Sequence, residues 1–230
     1  MQTPFQVAGQ TTQDVVLQQN RVLRNTYLLL ALSMIPTVVG AFIGVKMGFS
    51  LFPGSPMLSF LVFMGIAFAF IWGIQRTKNS GAGVALLLGF TFFMGLMLAG
   101  ILRAALGFSN GGVLIATAAG GTGAIFFTLA GIATVTKKDF SFLGKFLFVG
   151  LVILILASLA NIFFAVPAMA LTISAVAVLI FSGYILYDIS RIVTGGETNY
   201  ISATLSVYLD IYNLFINLLN LLMLLSGRRD

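Results

Sequence analysis

Apolar runs and short polar breaks alternate seven times along the 230 residues. The runs cover Thr26–Val45, Met57–Gln75, Gly83–Leu102, Val113–Val135, Phe142–Phe164, Val166–Ile189 and Ala203–Leu225. Each is near or above the ~20 residues that a bilayer-spanning helix needs. The breaks are thirteen residues or fewer, too short for a separate soluble domain. The fifth and sixth runs are divided only by Asn161 and Pro167. Proline disfavours helical continuation from the residue before it, so a tight helical hairpin is expected there. The pattern predicts an all-α membrane protein of seven transmembrane helices, with no internal repeat.

The seventh run differs from the others. Ser206, Asp210, Asn213, Asn217 and Asn220 recur at spacings of four, three, four and three, a single stripe along one helical face. Lipid cannot satisfy amides and carboxylates, so the stripe is expected to face other helices or water. Leu214, Leu218, Leu221 and Leu222 fill the positions between. A last helix passing through the middle of the bundle fits this pattern. Small residues four apart, Gly40, Gly44 and Gly48 and again Ala116, Gly120 and Ala124, are expected to let helices approach closely.

Composition narrows the class. The chain is 59% hydrophobic and only 8% charged, against about 25% charged in soluble domains. It has no Cys, which excludes disulfides and thiolate metal sites, and no His, so carboxylates are the candidates for a response near neutral pH. The net charge of +6 is dispersed among short loops, a topology and lipid-headgroup pattern rather than a nucleic-acid one. Arg21, Arg24, Arg76, Lys78, Lys137, Lys138, Lys145 and Arg191 fall on one side. Lys46, Arg103, Arg228 and Arg229 fall on the other. The bias predicts a cytoplasmic N-terminus and, after seven crossings, a C-terminus outside. Residues 1–24 are expected to form a cytoplasmic polar tail, flexible over Met1–Asn20, and residues 25–230 one transmembrane domain. Lys137, Lys138 and Asp139 read as a solvated turn.

The six acidic residues include Asp188 and Asp210, inside the last two runs. A charge inside a spanning helix costs about 3 kcal/mol or more, which makes a function for each the default expectation. By helical rise, both lie roughly 6–12 Å from the same membrane boundary. The Gly195-Gly196 loop lets them meet. Two carboxylates that close share a proton, and together they can attract a cation such as Ca²⁺. Arg191, three residues after Asp188, and Arg76, at the end of the second run, are candidate latch partners. No catalytic or cofactor-binding residue is identified. Tyr187-Asp188 matches half of an intramembrane aspartyl protease motif, but Asp210 lacks the glycines of the other half.

Several of these segments carry a family likeness. Gly183-Tyr-Ile-Leu-Tyr-Asp-Ile, Gly195-Gly-Glu-Thr-Asn-Tyr-Ile and Ser206-Val-Tyr-Leu-Asp-Ile-Tyr-Asn-Leu-Phe-Ile-Asn-Leu-Leu resemble the signature of the Bax inhibitor-1 family. Val22-Leu-Arg-Asn-Thr-Tyr27, Lys138-Asp-Phe-Ser-Phe-Leu-Gly144 and Ala160-Asn-Ile-Phe163 resemble its bacterial branch, which modulates the membrane-anchored FtsH protease. The likeness implies six helices wrapped around a central C-terminal helix, a bacterial inner-membrane location, and FtsH as partner. In family members with ion-leak activity, an aspartate pair matching Asp188 and Asp210 senses pH, latched by an arginine for which Arg76 is the positional match. The resemblance therefore implies a modulator of proteolysis or, alternatively, a pH-sensitive Ca²⁺ leak.

Overall fold

The computed structural model describes residues 12–227, and over that range the chain forms eight helices. These are α1 (Thr12–Met47), α2 (Pro56–Thr77), α3 (Gly81–Met97), α4 (Ala99–Leu106), α5 (Gly111–Thr136), α6 (Leu143–Phe164), α7 (Pro167–Thr194) and α8 (Tyr200–Ser226). Because α3 and α4 form one continuous span, seven helices are long and apolar enough to cross a membrane. The bounds follow the apolar runs to within a few residues except at the start. Thr12–Arg24, expected as tail, is the first part of α1. Its Leu, Gln and Arg residues are good helix formers and extend the span without needing lipid. The rest of that expectation, residues 1–11, lies outside the described residues, as do Arg228 and Arg229.

The α6–α7 hairpin forms where Asn161 and Pro167 stand. Ala165 takes a left-handed φ of 50° and its N–H returns to Asn161 O at 2.8 Å. The Asn161 side chain accepts Val166 N–H at 3.0 Å, and Pro167 opens α7. Both carbonyl oxygens of one asparagine thus close the turn.

α8 is the axle, packing on α1, α2, α3, α4, α5 and α7. The wrapping is incomplete. α6 packs only on α7, because a helix apolar on every side is satisfied by lipid as well as by protein. α2 packs on α3 and sparingly on α8, and meets neither α6 nor α7. A seam therefore runs along α8 between α2 and α7.

The first set of small residues behaves as expected. A Cβ built on Gly40 would run into Phe92 O, and one on Gly95 into Thr37 O, so α1 and α3 touch backbone to backbone. The second set does not. Ala116, Gly120 and Ala124 are exposed, and a Cβ on Gly120 meets nothing within 4 Å. The buried face of α5 is instead Leu114, Ala118, Thr122 and Phe126, two positions out of step. Four-residue spacing marks a face, and only packing decides which face turns inward.

Candidate functional site

Tertiary packing starts from the α7–α8 turn. Gly195 ends α7 with a φ of 84°, a left-handed conformation that glycine adopts without a Cβ penalty. Glu197 N–H then bonds Arg191 O at 3.1 Å, and the Glu197 carboxylate accepts Asn199 N–H at 2.8 Å. Asn199 caps α8 by accepting Ile201 N–H at 3.0 Å and Ser202 N–H at 3.1 Å. Its amide also donates to Lys78 O at 3.0 Å and Asn79 Oδ1 at 2.8 Å. One residue therefore starts the axle and clamps the α2–α3 turn to it.

This turn lays α7 and α8 antiparallel. Asp188 is six residues before the end of α7, and Asp210 ten residues into α8, about 9 and 15 Å along their helices. The two carboxyl groups lie close enough to act on one another directly. Asp210 is buried and Asp188 half-buried. Two carboxylates have no donor to offer each other, and Asp210 Oδ2 finds none elsewhere among the described residues. A proton held between the two acids would supply such a donor.

Neither arginine bonds the pair, although Arg191 lies within electrostatic reach of Asp188. Arg191 donates to Gly196 O at 3.3 Å and stacks over the Tyr187 ring at 5.6 Å. Arg76 is exposed, 5.1 Å above the Trp72 ring on its own helix. Among the described residues neither forms an ion pair within 4.0 Å of an acid.

The polar stripe divides into three behaviours. Asn213 and Asn217 turn their amides onto their own helix, to Leu209 O and Asn213 O, each at 2.8 Å. Asn220 crosses to Ser174 Oγ of α7 at 2.8 Å. Ser206 is exposed.

Sequence reasoning missed a second set of polar contacts on the far side of α8. Tyr208 shares a 2.9 Å hydrogen bond with Thr37 Oγ1 and donates to Thr91 O at 3.4 Å, while Tyr212 donates to Met94 O at 3.0 Å. The signal was their four-residue spacing, two positions out of step with Asp210. Buried tyrosine hydroxyls seek a partner.

Chemically, the acid pair can hold a proton or attract a passing cation. Resident Ca²⁺ takes 6–8 oxygen ligands. Two carboxylates supply four at most, and no third acid joins them among the described residues. The pair suits transient rather than permanent occupancy.

Comparison with known proteins agrees with this architecture. Residues 19–228 match the family model described as inhibitor of apoptosis-promoting Bax1. An uncharacterized membrane protein of Vibrio cholerae is 42% identical over 211 residues, covering 92% of each chain. The Escherichia coli K12 protein named modulator of FtsH protease YccA is 40% identical over 207 residues, covering 90% of this chain and 91% of its own. Its counterpart in Escherichia coli O6:H1, named inner membrane protein YccA, matches equally well. With a seven-span bundle around α8 and a family match over nearly its full length, the chain belongs to the Bax inhibitor-1 family.

Proposed function

We propose that this protein is a bacterial inner-membrane regulator that restrains proteolysis of membrane proteins by the FtsH protease. The observation that carries the reading is 40% identity, across nine-tenths of both chains, to the Escherichia coli protein named modulator of FtsH protease. Coverage of that extent leaves no large insertion or missing span to separate the two. Eight basic residues gather at the acid-pair end, against Lys46 and Arg103 among the described residues at the other. That bias supports a cytoplasmic acid-pair end and N-terminus. The Gln-rich stretch Met1–Asn20 then offers a polar handle to a cytoplasmic protease. The test is the half-life of FtsH membrane substrates with and without this protein. Slower decay in its presence is expected, and unchanged decay rules the reading out. Removing residues 1–11 is expected to lengthen the protein's own lifetime.

The acid pair favours a second reading, a pH-sensitive cation leak, with Ca²⁺ as the permeant ion. With one proton shared, the two carboxyls join α7 to α8. With both anionic, they repel across that interface and attract a cation. In liposomes from about pH 6 to 8, Ca²⁺ flux is expected to depend on pH, and Asp188→Asn and Asp210→Asn are expected to flatten the profile. A profile untouched by either change removes the leak reading and leaves the modulator reading standing.

A further inference from the structure

From the level of Leu209 on α8 toward the end of the bundle away from the acids, a cavity of about 670 Å³ opens between α2, the α3–α4 junction and α8. That is the size of a small-molecule site. From Phe90 to Arg103 it extends thirteen positions along the third span, about 20 Å. One leaflet of hydrocarbon is about 15 Å deep. Its walls are mostly apolar, with Phe63 and Met64 from α2 and Met94 and Met97 from α3, and Ser50 and Ser59 among the few polar side chains. Asn213 borders it, but its amide is already committed to Leu209 O. The chief polar feature is Arg103 at the mouth.

Arg103 is exposed, and its guanidinium lies against Gly48, where α1 ends with a φ of 64°. A Cβ on Gly48 would stand 3.0 Å from Arg103 Nη1, so the glycine keeps that place open. Among the described residues no carboxylate lies within 4.0 Å of Arg103. Asp139, Asp188, Glu197 and Asp210 all belong to the other half of the bundle. A guanidinium with no carboxylate partner among the described residues, set over a long greasy cavity, fits an anionic head carrying an acyl tail. At that depth in a membrane the abundant anion is a lipid phosphate, which a guanidinium grips with two parallel hydrogen bonds.

We propose that the cavity between α2 and α8 is a binding site for one acyl chain of an anionic phospholipid, whose phosphate is held by Arg103. The tail fills the space that leaves α2 lightly packed, so the lipid acts as a removable part of the α2–α8 interface.

The test uses full-length protein in detergent, offered equal amounts of phosphatidylglycerol and phosphatidylcholine with identical chains, and native mass spectrometry. One phosphatidylglycerol is expected to remain bound where phosphatidylcholine is stripped. Arg103→Gln is expected to lower phosphatidylglycerol retention about tenfold, to the phosphatidylcholine level. Gly100→Phe is expected to abolish retention of both lipids. Gly100 lines the cavity, and an added Cβ there meets nothing within 4 Å, so its side chain grows into the space the tail would take. Equal retention of the two lipids by the unaltered protein would mean boundary lipid only and overturn the site. So would an Arg103→Gln protein that keeps its preference, or a dimer in place of a lipid adduct. The Arg103 change lies at an exposed position, so the comparison stands even if the Gly100 variant fails to fold.

Discussion

Asp210 is the residue on which the chemistry turns. Its buried Oδ2 lacks a donor unless the pair with Asp188 holds a proton. Infrared spectra near neutral pH should show a protonated-carboxyl stretch that disappears in both Asp188→Asn and Asp210→Asn, because an amide supplies the missing hydrogen. A band that persists unchanged would place the proton elsewhere. On the other side of α8, Thr37 bonds Ser33 O at 2.8 Å and Thr91 O at 3.2 Å as well as Tyr208. Tyr208→Phe leaves Thr37 satisfied and should cost about 1 kcal/mol. Thr37→Val leaves the Tyr208 hydroxyl with only a 3.4 Å bond to Thr91 O and should cost about 1–3 kcal/mol. Thermal unfolding in detergent ranks the two. In the α5–α6 loop, the Ser141 hydroxyl and N–H both donate to Asp139 Oδ1 and hold its carboxyl below the ordinary carboxylate range. The turn is therefore fully supported near neutral pH and loses that support as pH falls through the depressed value. Ser141→Ala should move the Asp139 titration upward, followed by NMR of labelled aspartate.

At the scale of elements, the same glycine content does opposite things. Gly95→Leu should separate α1 from α3 and prevent recovery of a folded protein, since Thr37 O occupies the place of its Cβ. Gly120→Leu, facing open space on α5, should fold and elute like the unaltered chain. Asn199 joins two elements, and Asn199→Ala should cost about 1–2 kcal/mol from the lost cap. It should also raise hydrogen exchange in the first turn of α8 and in the α2–α3 turn together. Asn199→Asp keeps the acceptor for Ile201 and Ser202 but loses the donors to Lys78 O and Asn79. It should restore protection to α8 alone. Seven spans were legible because each is a long apolar run with its own polar punctuation. The break between α3 and α4 at Leu98 was not, since no proline marks it.

Across the whole molecule, the two ends are built differently. At the acid-pair end, side chains tie loops to helices: Asn199 holds the α2–α3 turn, and Ser190 holds the α5–α6 loop through Lys138 O at 2.9 Å and Phe140 N–H at 3.0 Å. The other end holds the large cavity and a second one of about 390 Å³ beside Pro167 and Asn220. With no native cysteine, single introduced thiols can report sidedness cleanly. In intact cells an impermeant thiol reagent should label Gly54→Cys and spare Asn79→Cys, and the reverse pattern would invert the proposed orientation.

Sequence by itself determined the class, the number of spans, the special status of α8 and the place of Asp188 and Asp210 on neighbouring helices. All four follow from local hydropathy, helical periodicity and a short glycine turn, which act within a segment or between neighbours in the chain. Only the tertiary structure decided that α6 stands outside the ring, that α5 turns Ala118 rather than Gly120 inward, and that Arg76 lies on Trp72. It also decided that Tyr208 and Tyr212 tie α8 to α1 and α3. In a bilayer, lipid and protein are equally apolar surroundings, so hydrophobicity says which residues leave water but not which neighbours they meet. That choice falls to close packing and to hydrogen bonds between residues as far apart in the chain as Thr37 and Tyr208.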